Sequence, residues 1–257
     1  MTPAAAVTMM IVSGLCVGSF LNVCIYRLPR GGSLLHPRSR CPGCGYQLGW
    51  FDNIPVVSYL MLLGRCRRCK TRISLRYPIV ELLTAAIFVM HYAVFGLTAL
   101  LVVRLIFACA LIVLFAIDLE HQLLPDVITL SGLAAGLIFS LVFPPGLLDA
   151  LLGVLAGGGV LWLIAEAYFR FTGQEGMGGG DVKMLAMIGA FLGWKLVLVT
   201  LFVSSLTGSL IGLLLILSRK GGMKQALPYG TFLALGALFA SLFGEATVNW
   251  YTGLYAA

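Results

Sequence analysis

Long runs of Leu, Ala, Val and Gly, with charge confined to the short intervals between them, set the pattern of this chain. A helix needs about 20 apolar residues to cross about 30 Å of hydrocarbon at 1.5 Å per residue. Eight runs come near or reach that length: about 7–26, 79–96, 98–117, 127–143, 147–169, 182–194, 197–217 and 231–250. Each is predicted to form a membrane-spanning helix. The sixth is short, so it is expected to tilt, to lie beside a cavity or to extend past its apparent ends. The fold class is thus all-α and polytopic, with eight transmembrane helices and one polar insert, and no internal repeat is evident. Three segments follow: a first transmembrane helix (1–26), an insert (27–77) and a helical bundle (78–257).

Composition agrees. The chain is 60% hydrophobic and 11% charged, with a mean hydropathy of +1.01, against about 45–50% apolar and about 25% charged for a soluble domain. The first span has no basic segment before it and no small-residue cleavage site after it, so it is expected to be a membrane helix rather than a secretory signal.

Net charge is +7, and ten of the seventeen Lys and Arg lie between Arg27 and Arg76, with Asp52 the one acid among them. Nucleic acid is the usual partner for such a block, but between membrane spans it marks the cytoplasmic side instead. Alternation then places the loops at 118–126, 170–183 and 218–230 in the cytoplasm, carrying Arg170, Lys183, Arg219, Lys220 and Lys224. The opposite side carries Asp149, Pro144-Pro145 and Lys195. Arg104, inside the third span, is expected to snorkel toward the outer interface.

Within the insert, Cys41-Pro42-Gly43-Cys44 and Cys66-Arg67-Arg68-Cys69 stand twenty-one residues apart. Two such knuckles present four thiolates to one zinc ion. An insert this small and polar lacks an apolar core, and a metal would supply the missing stability. Two disulfides are the alternative, which a reducing cytoplasm disfavours. Cys16, Cys24 and Cys109 read as small apolar residues within spans.

The acids carry the next clue. Asp118 closes the third span, where a carboxylate opposes the helix dipole, so local structure gives no reason for it. Asp126 follows Pro125 and is explained as a helix cap. Asp181, in Gly178-Gly179-Gly180-Asp181-Val182-Lys183, could also be a cap, but the glycine run would let an extended peptide approach its carboxylate. No strand precedes that run and the phosphate-loop pattern is absent. Asp118 and Asp181 both fall at the cytoplasmic membrane edge, where two adjacent carboxylates would hold one proton between them. One could take a proton from water while the other polarises a peptide carbonyl. The loop of Gly178, Gly180 and Lys183 is expected to receive a locally unwound substrate helix. Glu81 is either an interfacial residue or one with a substrate or methylation role. Glu166 and His121 read as interfacial, and His36, His91 and His121 show no zinc-protease spacing.

Taken in order, these segments resemble one family. Gly18-Ser19-Phe20-Leu21-Asn22-Val23-Cys24-Ile25-Tyr26-Arg27-Leu28-Pro29 comes first. The two knuckles follow, with Asp52-Asn53-Ile54-Pro55 and Ser58-Tyr59-Leu60 between them. Ser74-Leu75-Arg76-Tyr77-Pro78-Ile79-Val80-Glu81, Asp118 with Leu123-Leu124-Pro125-Asp126, and Gly178–Lys183 complete the set, with Met184 where many relatives have Leu. The chain resembles bacterial prepilin peptidases, also called type 4 leader peptidases, among the GxGD intramembrane aspartyl proteases. The resemblance implies that Asp118 and Asp181 are catalytic and that prepilins or pseudopilins, of type IV pili or type II secretion, lose a basic leader at the cytoplasmic face of the bacterial inner membrane. It further implies methylation of the new amino terminus by S-adenosylmethionine, with the insert as its seat, structural zinc at Cys41, Cys44, Cys66 and Cys69, and no nucleic-acid partner. The cofactor pocket is not located by the sequence. A proton-coupled transporter with a zinc-binding regulatory insert is the alternative, although transport would place paired acids near the bilayer midplane within repeated halves. A membrane-anchored zinc adaptor would leave Asp118 and the glycine run unexplained.

Overall fold

The computed structural model describes residues 2–36, 38–174, 178–218 and 228–256. Among them there is no strand, only isolated bridges at Arg40–Gln47 and Arg65–Arg72. The chain divides into two compact units, Met1–Val113 and Leu114–Ala257.

In the first unit, α1 (Pro3–Arg27) starts on Thr2, whose hydroxyl accepts from the Ala5 amide, with Pro3 opening the helix. A 3-10 turn, Leu28–Arg30, leads into the insert, which holds a second such turn, Trp50–Asn53, and α2 (Val57–Met61). α3 (Arg76–Phe95) returns along α1. Gly14 and Gly18, one helical turn apart, let the backbones close up: a Cβ on Gly14 would lie 2.6 Å from the Ala85 Cα, and one on Gly18 2.7 Å from that of Glu81. Small residues at such crossings are how membrane helices gain contact without a hydrophobic driving force. The start of α4 (Ala99–His121) adds Leu101 to a buried cluster with Met10 and Phe88. Arg104 does not snorkel. It is 6% exposed and its guanidinium sits 5.7 Å over the Phe95 ring, where the aromatic face and the neighbouring α3 hold the charge inside the unit.

The second unit is built on α8 (Gly179–Leu217), against which α5 (Asp126–Phe139), α6 (Leu147–Val154) and α9 (Tyr229–Ala256) pack. A π-turn, Leu155–Gly159, joins α6 to α7 (Val160–Thr172). Gly153 and Gly189 meet backbone to backbone, and the Ser204 hydroxyl of α8 donates to the Phe232 carbonyl of α9 at 3.0 Å.

Six helices among the described residues are long and apolar enough to cross a membrane: Pro3–Arg30, Arg76–Phe95, Ala99–His121, Leu147–Thr172, Gly179–Leu217 and Tyr229–Leu254. The eight expected runs do not map onto them one for one. The fourth yields only the 14 residues of α5, and the sixth and seventh share α8, which breaks at Gly193. There φ is 78° and ψ 171°, a conformation open to glycine, and the Pro145 ring fills the space a Cβ would need. Of the expected cytoplasmic charges, Arg219, Lys220 and Lys224 lie outside the described residues.

Candidate active site and metal centre

Asp118 stands in the last turn of α4, 5% exposed. The helix dipole disfavours a carboxylate there, and α9 answers it. At the start of that helix the Thr231 amide donates to Asp118 Oδ2 at 2.6 Å, and the Thr231 hydroxyl donates to the same oxygen at 2.9 Å. A free helix N-terminus offers amides without intrahelical acceptors, so one helix end supplies what the other lacks. Gly230 makes the approach possible, since a Cβ there would lie 3.0 Å from Asp118 Oδ2 and 2.9 Å from Leu124 Cδ1.

Asp181 lies in the first turn of α8, where the dipole favours an acid. It caps nothing through its side chain; Gly178 is the N-cap. Asp118 and Asp181 act on each other electrostatically and line one cavity of about 250 Å³, with Gln122, Leu123, Leu124, Asp126, Gly178 and Gly180. That is room for a few waters and a peptide linkage, not for an intact helix, whose diameter is about 10 Å.

Two expectations need correction here. Gly180 and Lys183 belong to α8 rather than to a loop. Gly178 has φ −67° and ψ 133°, open to any residue, whereas a Cβ on Gly180 would press within 3.0 Å of Leu124. Asp126 does not cap α5, whose N-cap is Pro125. Instead, Lys183 Nζ donates to both Asp126 oxygens at 2.8 Å, bracing α8 against α5 beside the cavity.

The cysteines form a second centre, in the first unit. Their four Sγ atoms lie within 4.8 Å of one another, with Cys41 and Cys69 3.7 Å apart. Four sulfurs about 2.3 Å from a tetrahedral zinc would be about 3.8 Å apart, whereas a disulfide requires about 2.05 Å. The donor set fits zinc. Hydrogen bonds to the Thr71 hydroxyl and amide hold the Cys69 thiol down at about 6. Despite the Tyr46 backbone, desolvation and the neighbouring thiols push Cys44 up to about 11. A dication at the centre would let all four ionise.

The knuckles are built alike. Cys41 and Cys66 each donate their amide to a carbonyl five residues on, Tyr46 and Thr71, and each accepts from the residue four on, Gly45 and Lys70. Gly45 and Lys70 share a left-handed φ of 70° and 60°. This local repeat was missed because the sequence pairs glycine with lysine. Asp52 ties the two together, accepting from Tyr46 Oη at 3.3 Å and from Arg67 Nε at 2.8 Å.

Comparison with known proteins puts both centres in context. A family model described as the bacterial peptidase A24 N-terminal domain matches residues 12–95, and one described as the type IV leader peptidase family matches 105–213. A prepilin leader peptidase/N-methyltransferase of Aeromonas salmonicida is 39% identical, covering 92% of this chain and 90% of the relative. The chain belongs to the prepilin leader peptidase/N-methyltransferase family. Relatives bearing the same description occur in Pseudomonas putida (39% identical, 95% of this chain and 93% of the relative) and Myxococcus xanthus (43%, 80% and 62%). No solved structure matches the chain. In this leader peptidase, Thr231 and Gly230 are what the sequence reading missed. The available signal was Pro228-Tyr229-Gly230-Thr231, a proline and a glycine at the mouth of the last apolar run.

Proposed function

We propose that this membrane protein removes the basic leader from prepilins and pseudopilins and then methylates the new amino terminus with S-adenosylmethionine. The observation that carries the proteolytic half is Asp118, buried, held at Oδ2 by Thr231, and facing one cavity with Asp181. With Oδ2 occupied by two donors, Oδ1 is left to receive the proton of an attacking water. Asp181 carries the shared proton and hydrogen-bonds the scissile carbonyl, so negative charge developing on that oxygen is met by a donor. The proton then passes to the leaving amine. No metal enters these steps. The four cysteines would hold zinc as a structural tie of the insert at 27–77, while the proteolytic chemistry belongs to the bundle within 78–257.

Concentration of ten of seventeen basic residues between Arg27 and Arg76 supports a cytoplasmic insert in the inner membrane. Two spans, α3 and α4, lead from the insert back to Asp118, and Asp181 lines the same cavity, which supports both aspartates acting at the cytoplasmic face. The transporter alternative finds no support, since both matched families are peptidase families.

Mass spectrometry of a purified prepilin incubated with the enzyme tests this reading. The leader should be lost without S-adenosylmethionine, and one methyl group gained with it; an intact prepilin after incubation with zinc-loaded enzyme would overturn it. Two variants probe the cavity. Thr231→Val keeps the amide bond to Asp118 and loses the hydroxyl bond, and is expected to slow cleavage about tenfold, the worth of one hydrogen bond to a charged group. Gly180→Val should impair cleavage at least as much through Leu124, whereas Gly178→Ala should leave it near wild type.

A further inference from the structure

A larger cavity, about 560 Å³, lies wholly within the first unit and takes no part in the proteolytic chemistry. Its volume falls in the range of small-molecule sites. Two of its lining residues stand out. Asn22 on α1 is 2% exposed; its Nδ2 donates to the Gly18 carbonyl at 3.3 Å and the Tyr77 carbonyl at 3.0 Å, which leaves Oδ1 buried with no donor. Glu81 on α3 is 7% exposed. Its Oε2 accepts from the Val56 amide at 2.7 Å, and the Ser19 hydroxyl also bonds the carboxylate.

Val56 is itself unusual. It has φ 60° and ψ −47°, and the Val57 amide reaches back to the Pro55 carbonyl at 2.6 Å, a strained γ-turn for a β-branched residue. The turn aims the Val56 amide at Glu81. A buried carboxylate and a buried amide oxygen lacking a donor, in the wall of one cavity, call for a ligand rich in N–H. Arg38, Arg40 and Arg72 line the same cavity with positive charge, which suits a carboxylate-bearing second ligand.

We propose that this cavity is the methyl-transfer site, and that Glu81 and Asn22 hold the accepting amine of the processed substrate. The inference rests on the methylation reading above. The incoming α-ammonium gives one proton to Glu81 while a remaining N–H bonds Asn22 Oδ1. The freed nitrogen lone pair then forms a bond to the methyl carbon as the carbon–sulfur bond breaks. Its electron pair stays on sulfur, leaving a neutral thioether and a methylated secondary ammonium. Charge and atoms balance with no further reactant.

The test uses the full zinc-loaded chain and the Glu81→Gln variant, which keeps a carbonyl oxygen for the Val56 amide and removes the base. Methylation of a peptide with a free amino terminus should fall about 100-fold, the lower end of a general-base contribution. Leader cleavage, zinc content and calorimetric affinity for S-adenosylmethionine should stay within about twofold, well inside a single hydrogen bond's effect. Residual methylation should rise in proportion to hydroxide concentration, and Glu81→Asp should recover part of the rate. Unchanged methylation, or loss of cleavage and zinc along with it, overturns the assignment, the latter making Glu81 structural. A large fall in affinity for S-adenosylmethionine also overturns it, by giving the two acceptors to the donor's own amino group. Failure of the wild type to bind S-adenosylmethionine would sink the methylation reading itself.

Discussion

Asp118→Asn and Asp181→Asn should each abolish leader removal, lowering its rate by about 10³- to 10⁴-fold, or about 4–5.5 kcal/mol in activation free energy. Asparagine is nearly isosteric, and at 118 its carbonyl oxygen can still accept from the Thr231 amide and hydroxyl, which meet Oδ2 in the wild type at 2.6 and 2.9 Å. The packing of α4 on α9 is therefore retained and only the proton chemistry is removed. The two variants differ in a diagnostic way. At 118 no group is left to take the proton from water. At 181 the amide can still donate to a carbonyl, so that variant should retain substrate affinity while losing turnover. Quench-flow sampling with mass spectrometry reads both quantities. Methylation of a pre-processed peptide should be unaffected in either, which separates a lesion in chemistry from one in folding. Cleavage persisting within about tenfold of wild type in either variant is far too active for a lost proton-transfer group and would remove that aspartate from the mechanism.

The sequence was most legible where rarity carried the signal, and the structure places both rare acids it singled out on one cavity. Asp118 and Asp181 belong to a set of only ten acids, so an acid without a local reason invited one of another kind. The cysteine knuckles were legible because two C-x-x-C pairs carry a spacing that suits a shared ligand, and the structure brings their four sulfurs within 4.8 Å of one another. What failed was anything depending on which apolar face meets protein and which meets lipid. Leu185 is fully buried on α8 while Phe202 and Leu213 of the same helix are 70% and 54% exposed, yet all three are large and apolar. In water the solvent face would be polar and the helix would announce its orientation; in a bilayer both faces are apolar. Contacts such as Asp118 with Thr231, 113 residues apart, and Asp126 with Lys183, 57 apart, therefore left no periodic trace. The break at Gly193 was legible to within a few residues as the boundary between the sixth and seventh runs, but not its form, since a kink and a loop leave the same short interruption in the sequence.

Removing zinc should undo the insert without undoing the bundle. The described part of the insert has few buried side chains beyond Cys41, Asp52, Ser58 and Cys66, so no apolar core would hold its turns if the four thiolates lost their common ligand. Structural zinc contributes about 10–16 kcal/mol to small sites of this kind, more than any packing in the insert could replace. Cys41→Ser and Cys66→Ser, each removing a buried ligand, should reduce bound zinc from one ion per chain to near none by elemental analysis. Hydrogen exchange should then rise together at 40–47 and 65–72, because Asp52 bonds Tyr46 of one knuckle and Arg67 of the other. Protection in α8 and α9 should hold, since Ser204 and Phe232 join them far from the cysteines in sequence. Methylation should fail while cleavage retains a substantial rate. The coupling is the informative part. If each knuckle is merely a stable turn, a lesion in one would leave exchange in the other unchanged, and the metal would be decoration; simultaneous loss in both is what a single ion shared between them requires.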